Sequence, residues 1–265
     1  MSHAIEVYVG IDVACSKSKR LPICFVRKNE PNGLEVLEIP PDLRNQIPRG
    51  SGNIAISEKE PFVSLAREAA STIAAIALRQ GWKIQRVSID APAGPSKADS
   101  RGSEKALLAR GVSSFLTPTI VKWEEIKRVC KTHLLEGGAI SRIPYANKIW
   151  MLYGFELFKA LGENDIETIE TYPQAVIAGL DARCPHKSTP EGYRRQLSLV
   201  SQQTGWADFQ LLERQLKLHA TGGKTDRLDA YISAWVASLE ADKRFAFGDP
   251  SNAHDSIWVP LNCYQ

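Results

Sequence analysis

The first forty residues of the chain alternate between short apolar runs and turn-forming residues. Three runs rich in valine, isoleucine and aromatic residues predict strands, and the short connections between them predict an antiparallel meander. These runs are Ile5–Ala14, Leu21–Arg27 and Leu34–Ile39. Pro31, Asn32 and Gly33 predict the turn between the last two strands. The segment 40–53, rich in proline, glycine and asparagine, predicts an exposed loop.

The pattern then changes to that of a helix followed by a strand. Apolar residues recur at helical spacing over Phe62–Gln80, and Gly81 is a typical helix end. Lys83–Asp90 has the composition of a strand, and the Ala91–Pro95 segment can continue neither element. A helix that connects two strands of one sheet makes them parallel, so we expect the fourth strand to run parallel to an earlier one.

The rest of the chain is mainly helical. The periodicity predicts helices over Glu104–Arg110, Trp123–Leu135, Ala146–Leu161, Gly192–Gln203, Ala207–His219 and Asp226–Leu239, with short strands at Ile166–Tyr172 and Ser256–Val259. We therefore predict a single α/β domain over residues 1–265, with a mainly helical insertion near 96–165. An antiparallel meander followed by two strands parallel to the first is the ribonuclease H-like order, a mixed five-stranded sheet with helices on both faces.

Composition narrows the picture only slightly. The hydrophobic fraction of 43% and the charged fraction of 24% are typical of a globular protein. A net charge of +3 permits a nucleic-acid partner without requiring one. The N-terminus resembles no signal peptide, and no apolar run reaches bilayer-spanning length, so we expect a cytoplasmic protein with no membrane partner. Five widely spaced cysteines fit a reducing compartment: Cys15, Cys24, Cys130, Cys184 and Cys263.

Three carboxylates stand within or at the ends of predicted strands. Asp12 lies inside a run of buried-strand character, Asp90 ends its strand, and Glu170 lies just before Tyr172 and Pro173. An ionised carboxylate in such a run is costly unless a partner compensates it. The carboxyl ends of strands line the functional crevice of open α/β sheets, so Asp12 and Asp90 could face one another there.

The last predicted helix contributes two further acids, Asp226 and Asp229, which share a helical face because they are three residues apart. Clustered hard oxygen ligands favour Mg²⁺ or Mn²⁺ over zinc. A pair of such ions could activate water and stabilise the leaving oxygen in phosphodiester cleavage. Structural roles stay open for Asp12 and Asp90 as turn residues and for Asp226 as a helix cap.

The chain resembles a family of uncharacterised-domain proteins described as predicted nucleases with a ribonuclease H fold. The motifs that carry the resemblance are Gly10-Ile11-Asp12, Ile89-Asp90-Ala91-Pro92, Arg101 with Glu104, Glu170-Thr171-Tyr172-Pro173, Asp226-Arg227-Leu228-Asp229-Ala230 and Ile257-Trp258-Val259-Pro260. The resemblance implies a metal-dependent nuclease site at Asp12, Asp90, Glu170 and Asp229. Arg101 and Glu104 match an arginine and an acid of the family pattern, which implies substrate binding, although Ser103 replaces a cysteine that is frequent there.

Other motifs are weaker. The segment 222–225 ends like a phosphate-binding loop, but Leu218 occupies the position of the required first glycine. Four residues are candidate zinc ligands without a standard spacing: Cys130, His133, Cys184 and His186. A basic helical segment around Trp123, which Lys148 could extend, is either a solvated face or a phosphate-binding surface.

The leading functional hypothesis is a Mg²⁺- or Mn²⁺-dependent nuclease acting on DNA or RNA. A non-catalytic nucleic-acid-binding or scaffold protein on the same fold is the alternative from another class. An actin-like ATPase or sugar kinase ranks below both, because those enzymes need a duplicated domain and a longer chain.

Overall fold

The computed structural model describes residues 4–29 and 33–264. Residues 1–3, at the N-terminus for which the sequence predicts no signal peptide, lie outside the described residues. The same is true of Pro31 and Asn32 in the turn predicted between the second and third strands.

A mixed five-stranded sheet forms the centre of the fold, with the strand order β3-β2-β1-β4-β5. Strand β1 pairs antiparallel with β2, and β2 with β3, which confirms the predicted meander. Strand β4 pairs parallel with β1 and β5 pairs parallel with β4, which confirms the crossover. The strands are β1 (Ile5–Asp12), β2 (Ile23–Asn29), β3 (Gly33–Val36), β4 (Trp82–Asp90) and β5 (Thr168–Glu170).

Helices account for about half of the remaining described residues. They are α1 (Pro41–Arg44), α2 (Val63–Gln80), α3 (Gly102–Ala109), α4 (Ile120–Leu135), α5 (Ala146–Gly162), α6 (Pro173–Leu180), α7 (Pro190–Gln203), α8 (Phe209–His219) and α9 (Lys224–Ser238). Helices α3, α4 and α5 lie between β4 and β5, where the sequence predicts the helical insertion. Within the part of the chain that the structure describes, none of these helices combines the length and apolarity that a membrane crossing requires.

Alternation along β1 sends its side chains into two separate cores. Val7, Val9 and Ile11 join a cluster that also contains the buried faces of α2 and α5. Tyr8 joins a second cluster on the opposite face, together with residues of α6, α7, α8 and α9. The sheet is therefore covered by helices on both faces, as the sequence predicts.

Helix α9 lies directly on β1 because Gly10 has no side chain. A Cβ atom at Gly10 would lie 1.9 Å from the Ala230 carbonyl oxygen and 2.2 Å from the Ala234 amide nitrogen. Only glycine permits this approach, and alanines on the facing side of α9 keep the helix backbone close to the strand. The contact fixes the start of α9 beside the carboxyl end of β1.

The structure differs from the sequence prediction in three places. The predicted exposed loop at 40–53 contains α1 and buries Leu43 and Ile47. Pro173, interpreted as a strand stop, is also the first residue of α6, a position that tolerates proline because its N–H would have no helical partner. Strand β6 (Arg244–Gly248) was not predicted, and it pairs antiparallel with the expected final strand, β7 (Ser256–Pro260).

Candidate metal centre and its cleft

Three aspartates that are far apart in sequence converge at one end of the sheet. Asp12 and Asp90 are the last residues of two neighbouring parallel strands and are partners in the ladder register. Asp229 approaches them from the second turn of α9, which the Gly10 contact holds against β1. One carboxylate oxygen from each aspartate lies within 4.8 Å of the others. These three residues are called the aspartate trio below.

The trio is electrostatically unfavourable without a cation. Burial raises the pKa of Asp90 to about 8, and the neighbouring Asp229 carboxylate adds to the rise. Burial raises the pKa of Asp12 well above its ordinary value, with further contributions from Asp229 and Asp90. Burial also raises the pKa of Asp229 although a nearby lysine opposes it. Three carboxylates that resist ionisation together form a site that positive charge stabilises.

Lys187 supplies part of that positive charge and was not found by sequence reasoning. It lies in the segment between α6 and α7, and its ammonium group forms an ion pair with Asp229. The pKa of Lys187 is raised: burial lowers it, but Asp229, Asp90 and Asp12 outweigh that effect. A single lysine in an irregular segment carries no periodic or spacing signal, so only the fold reveals its position.

Glu170 lies in the same region but belongs to a different arrangement. Its two carboxylate oxygens accept hydrogen bonds from the two terminal guanidinium nitrogens of Arg101, each at 2.7 Å. Glu104 accepts from Arg101 Nε at 3.0 Å and from the Thr117 amide at 2.8 Å. All three charged side chains are buried, and together they are called the arginine-centred triad below. Arg101 and Glu104 therefore have buried partners within the protein.

Two other predicted site residues lie apart from the trio. Asp226 caps the start of α9, where it accepts hydrogen bonds from the Gly223 amide at 3.2 Å and from Lys19 at 2.9 Å. Burial raises the pKa of Asp226, but the bond from Lys19 and its charge hold it below the ordinary value. Lys148 donates to the Leu116 carbonyl at 2.8 Å and lines a separate pocket with Tyr145.

A cleft of about 250 Å³ opens beside the trio. Asp12, Asp90, Arg101 and Glu170 line its polar end. The remaining wall is largely apolar or aromatic and includes Phe115, Trp150, Met151, Tyr172 and Ile257. Convergent polar groups at one end of an apolar cavity are typical of a small-molecule or substrate site.

The donor chemistry fits a hard divalent cation. The trio offers carboxylate oxygens and no nitrogen or sulfur ligand, a set that suits Mg²⁺ or Mn²⁺ better than zinc. Positive charge at this point would also favour the ionised form of the three carboxylates, which burial disfavours. Among the described residues, no three of the candidate zinc ligands Cys130, His133, Cys184 and His186 come together, so the zinc alternative gains no support.

The comparison with protein families identifies one relationship. A family model described as "Protein of unknown function (DUF429)" matches residues 42–252. That range contains Asp90, Glu170 and Asp229 and ends before β7, and it begins after Asp12. No curated protein and no solved structure matches the chain.

Proposed function

The chain belongs to the DUF429 family, and we propose that it is a divalent-metal-dependent nuclease that hydrolyses phosphodiester bonds of DNA or RNA. The convergence of Asp12, Asp90 and Asp229 within 4.8 Å at one end of the sheet carries the proposal. Three sequence-distant carboxylates held together at a desolvation cost are difficult to explain by folding stability alone. The adjoining cleft gives a substrate access to them.

The strand order supports a ribonuclease H-like assignment for this fold. In that fold an antiparallel meander supplies three strands, and two further strands run parallel to the first. The order β3-β2-β1-β4-β5, with β4 parallel to β1 and β5 parallel to β4, agrees with it. The resemblance of the sequence to a family of predicted nucleases with a ribonuclease H fold supports the same assignment.

Each residue of the centre has a role in this proposal. Asp12, Asp90 and Asp229 hold Mg²⁺ or Mn²⁺, which when bound activates water and stabilises charge on the leaving oxygen. Lys187 limits the negative charge of the trio and keeps Asp229 in place through their ion pair. Arg101 fixes the orientation of Glu170 at the edge of the cleft, and Glu104 fixes Arg101 in turn.

The test compares purified protein with its Asp12→Asn and Asp229→Asn variants on single-stranded, duplex and hybrid substrates. Cleavage should require Mg²⁺ or Mn²⁺ and stop when a chelator is added. Ca²⁺ should bind but support cleavage poorly, because its looser coordination does not hold the geometry. Both variants should lose turnover by at least about a thousandfold while substrate binding persists. The matched control is Asp242→Asn, at an exposed aspartate remote from the trio, which should keep full activity.

A stability measurement separates a metal site from a structural one. Asp12→Asn should raise the melting temperature of the metal-free protein by about 2–4 °C, equivalent to about 1 kcal/mol, because it removes one of three repelling carboxylates. Mg²⁺ or Mn²⁺ should raise the melting temperature of the unmodified protein by mass action. Residual cleavage in Asp12→Asn, or a lower melting temperature in that variant, would contradict the proposal. Nucleic-acid binding without cleavage under any metal would favour the non-catalytic alternative.

A further inference from the structure

Three aromatic side chains, called the aromatic wall below, line the cleft together with the carboxylates: Phe115, Trp150 and Tyr172. Phe115 lies in the segment between α3 and α4 and is 53% exposed, which is high for a phenylalanine. Trp150 of α5 stands beside it, with ring centroids 6.4 Å apart at an interplanar angle of 73°. Tyr172 lines the same cleft from the end of β5. Exposed Phe115 and half-buried Trp150 therefore offer aromatic surface to a planar ligand in the cleft.

Hydrogen bonds hold two of these rings in place. The Trp150 indole N–H donates to the Asn147 carbonyl at 2.9 Å. The Tyr172 hydroxyl donates to the Ser113 carbonyl at 3.0 Å, which ties β5 to the segment that carries Phe115. The walls are therefore ordered before a ligand enters, so binding costs little side-chain entropy.

The aromatic wall adjoins the trio. Asp12 and Asp90 of the trio line the same cleft as Phe115, Trp150 and Tyr172. A ligand that packs against Tyr172 thus has its attached groups beside the proposed metal centre.

The charge of the wall excludes a phosphate backbone from it. Arg101 is the only lysine or arginine among the described residues that line the cleft, and the carboxylates of Glu170 and Glu104 already occupy its donors. Phosphate groups bind to free basic side chains or backbone amides. Apart from Arg101, no basic side chain among the described residues lines this cleft. The volume of about 250 Å³ is slightly below the usual 300–1,000 Å³ of drug-sized pockets. It has room for a single ring system and its sugar, and a duplex cannot enter.

We propose that this cleft binds one unstacked nucleobase of the substrate, so that the enzyme acts on single strands or frayed ends and not on an intact duplex. The inference rests on the proposed nuclease function. Stacking on aromatic side chains is the usual means of holding an unpaired base, and it tolerates every base because each has a π-face. Within a duplex the base must first leave the stack, which costs free energy that an unpaired strand does not lose.

The binding test needs no cleavage. Single-stranded DNA and RNA hexamers carry the fluorescent base 2-aminopurine at each position in turn, with Ca²⁺ as the metal. One position should show strong quenching, because that base stacks on the aromatic wall. An abasic site at the same position should weaken binding about tenfold, which corresponds to about 1.4 kcal/mol.

The matched pair of variants is Phe115→Ala and Leu116→Ala. The two residues are neighbours with similar exposure, 53% and 50%, but Leu116 lines a different pocket. Phe115→Ala should abolish the position-specific quenching and the abasic penalty, while Leu116→Ala should keep both. Equal quenching at every position, or equal behaviour of the two variants, would overturn the inference.

Cleavage distinguishes this inference from the proposed function. If metal-dependent cleavage requires the trio but blunt duplex is cut as fast as single strand, the nuclease proposal stands and the base-binding inference fails. If no substrate is cleaved, the nuclease proposal fails, and the quenching series still decides whether the cleft takes a base. The base-binding inference requires that single strands be cut at least about tenfold faster than blunt duplex.

Discussion

Two groups of carboxylates lie beside the same cleft, and their charge balance is opposite. The arginine-centred triad sets two carboxylates around one guanidinium, with hydrogen bonds at 2.7–3.0 Å to Arg101 and a further bond from the Thr117 amide. The aspartate trio sets three carboxylates around the single ammonium of Lys187. The first group is satisfied within the protein, and the second is short of positive charge.

The difference supports a structural role for the triad and the proposed metal-binding role for the trio. Although burial lowers the pKa of Arg101, Glu170 and Glu104 raise it above its ordinary value, which is the behaviour of a stable internal ion cluster. In the trio the effect of burial exceeds the opposing effect of Lys187, and the pKa of Asp90 rises to about 8. Such a deficit supports the proposed metal site, in which a bound cation would complete the charge balance. The two groups therefore predict opposite responses to mutation and to metal.

The largest effect is expected from Arg101→Met. Removal of the guanidinium leaves Glu170 and Glu104 buried without a cation, and breaking a buried pair in this way costs about 3–5 kcal/mol. The variant should unfold at a lower urea concentration, with the loss measured by equilibrium denaturation. Arg79→Met is the control, because its ion pair with Asp42 is about half exposed and should contribute little to stability. Equal losses in the two variants would contradict a structural role for the triad.

The metal-free trio should make stability depend on pH. The folded-state pKa of Asp90 is raised from 3.8 to about 8, so its protonated form is favoured in the folded protein. Its contribution is fully present below pH 3.8 and is lost as the pH rises through about 8. Each pKa unit corresponds to about 1.4 kcal/mol, or about 3–6 °C in melting temperature.

The melting temperature, measured in the presence of a chelator, should fall as the pH rises from about 3.8 to about 8. Asp90→Asn should flatten the slope, and saturating Mg²⁺ should remove most of it because the ionised trio then has a partner. A slope that is identical in the unmodified protein and in Asp90→Asn would show that the trio is not the source.

Lys187→Met should distinguish the effect of the lysine ammonium on the trio from the effect of a bound metal ion. Without the ammonium the carboxylates are more negative, so Mn²⁺ should bind about tenfold more tightly, a change of about 1.4 kcal/mol measured by calorimetric titration. The metal-free variant should lose stability by about 1–2 kcal/mol, a loss limited by the 26% exposure of the lysine side chain. Lys217→Met, at an exposed lysine of α8, is the control. Unchanged Mn²⁺ affinity in Lys187→Met would exclude competition between the lysine and the metal.

The sheet could be predicted from the sequence because its strands carry local signals. Apolar β-branched runs locate β1, β2 and β4, and the long helical period of α2 between them fixes the parallel crossover. Segments whose structure depends on tertiary context were missed or misinterpreted. Strand β6 is stabilised by its pairing with β7, and α1 lies in a segment rich in loop-forming residues.

The carboxylates of the site could also be found from the sequence, but their partners could not. Asp12 and Asp90 each end an apolar strand, which is a local signal, and Asp229 lies on a predicted helix. The partition of the acids into two groups depends on Arg101 and Lys187. Their side chains reach residues 69 and 42 positions away along the chain, which no local pattern encodes. Asp226 and Asp229 share a helical face, which suggests a common role. In the structure Asp226 instead caps the start of α9 and pairs with Lys19.

The smallest effect is expected from Asp226→Asn, which tests where the trio ends on α9. Asn keeps a carbonyl oxygen for the Gly223 amide and loses only the ion pair with Lys19, whose side chain is 48% exposed. Because the pKa of Asp226 is lowered, its stabilising contribution is present above the ordinary value of 3.8 and is lost below it. The loss in Asp226→Asn should therefore be below about 1 kcal/mol at neutral pH and should vanish in acid. The rise in melting temperature on addition of Mg²⁺ should equal that of the unmodified protein, whereas Asp229→Asn, one turn further along the same helix, should abolish it. Loss of the Mg²⁺ response in Asp226→Asn would extend the metal centre to the start of α9.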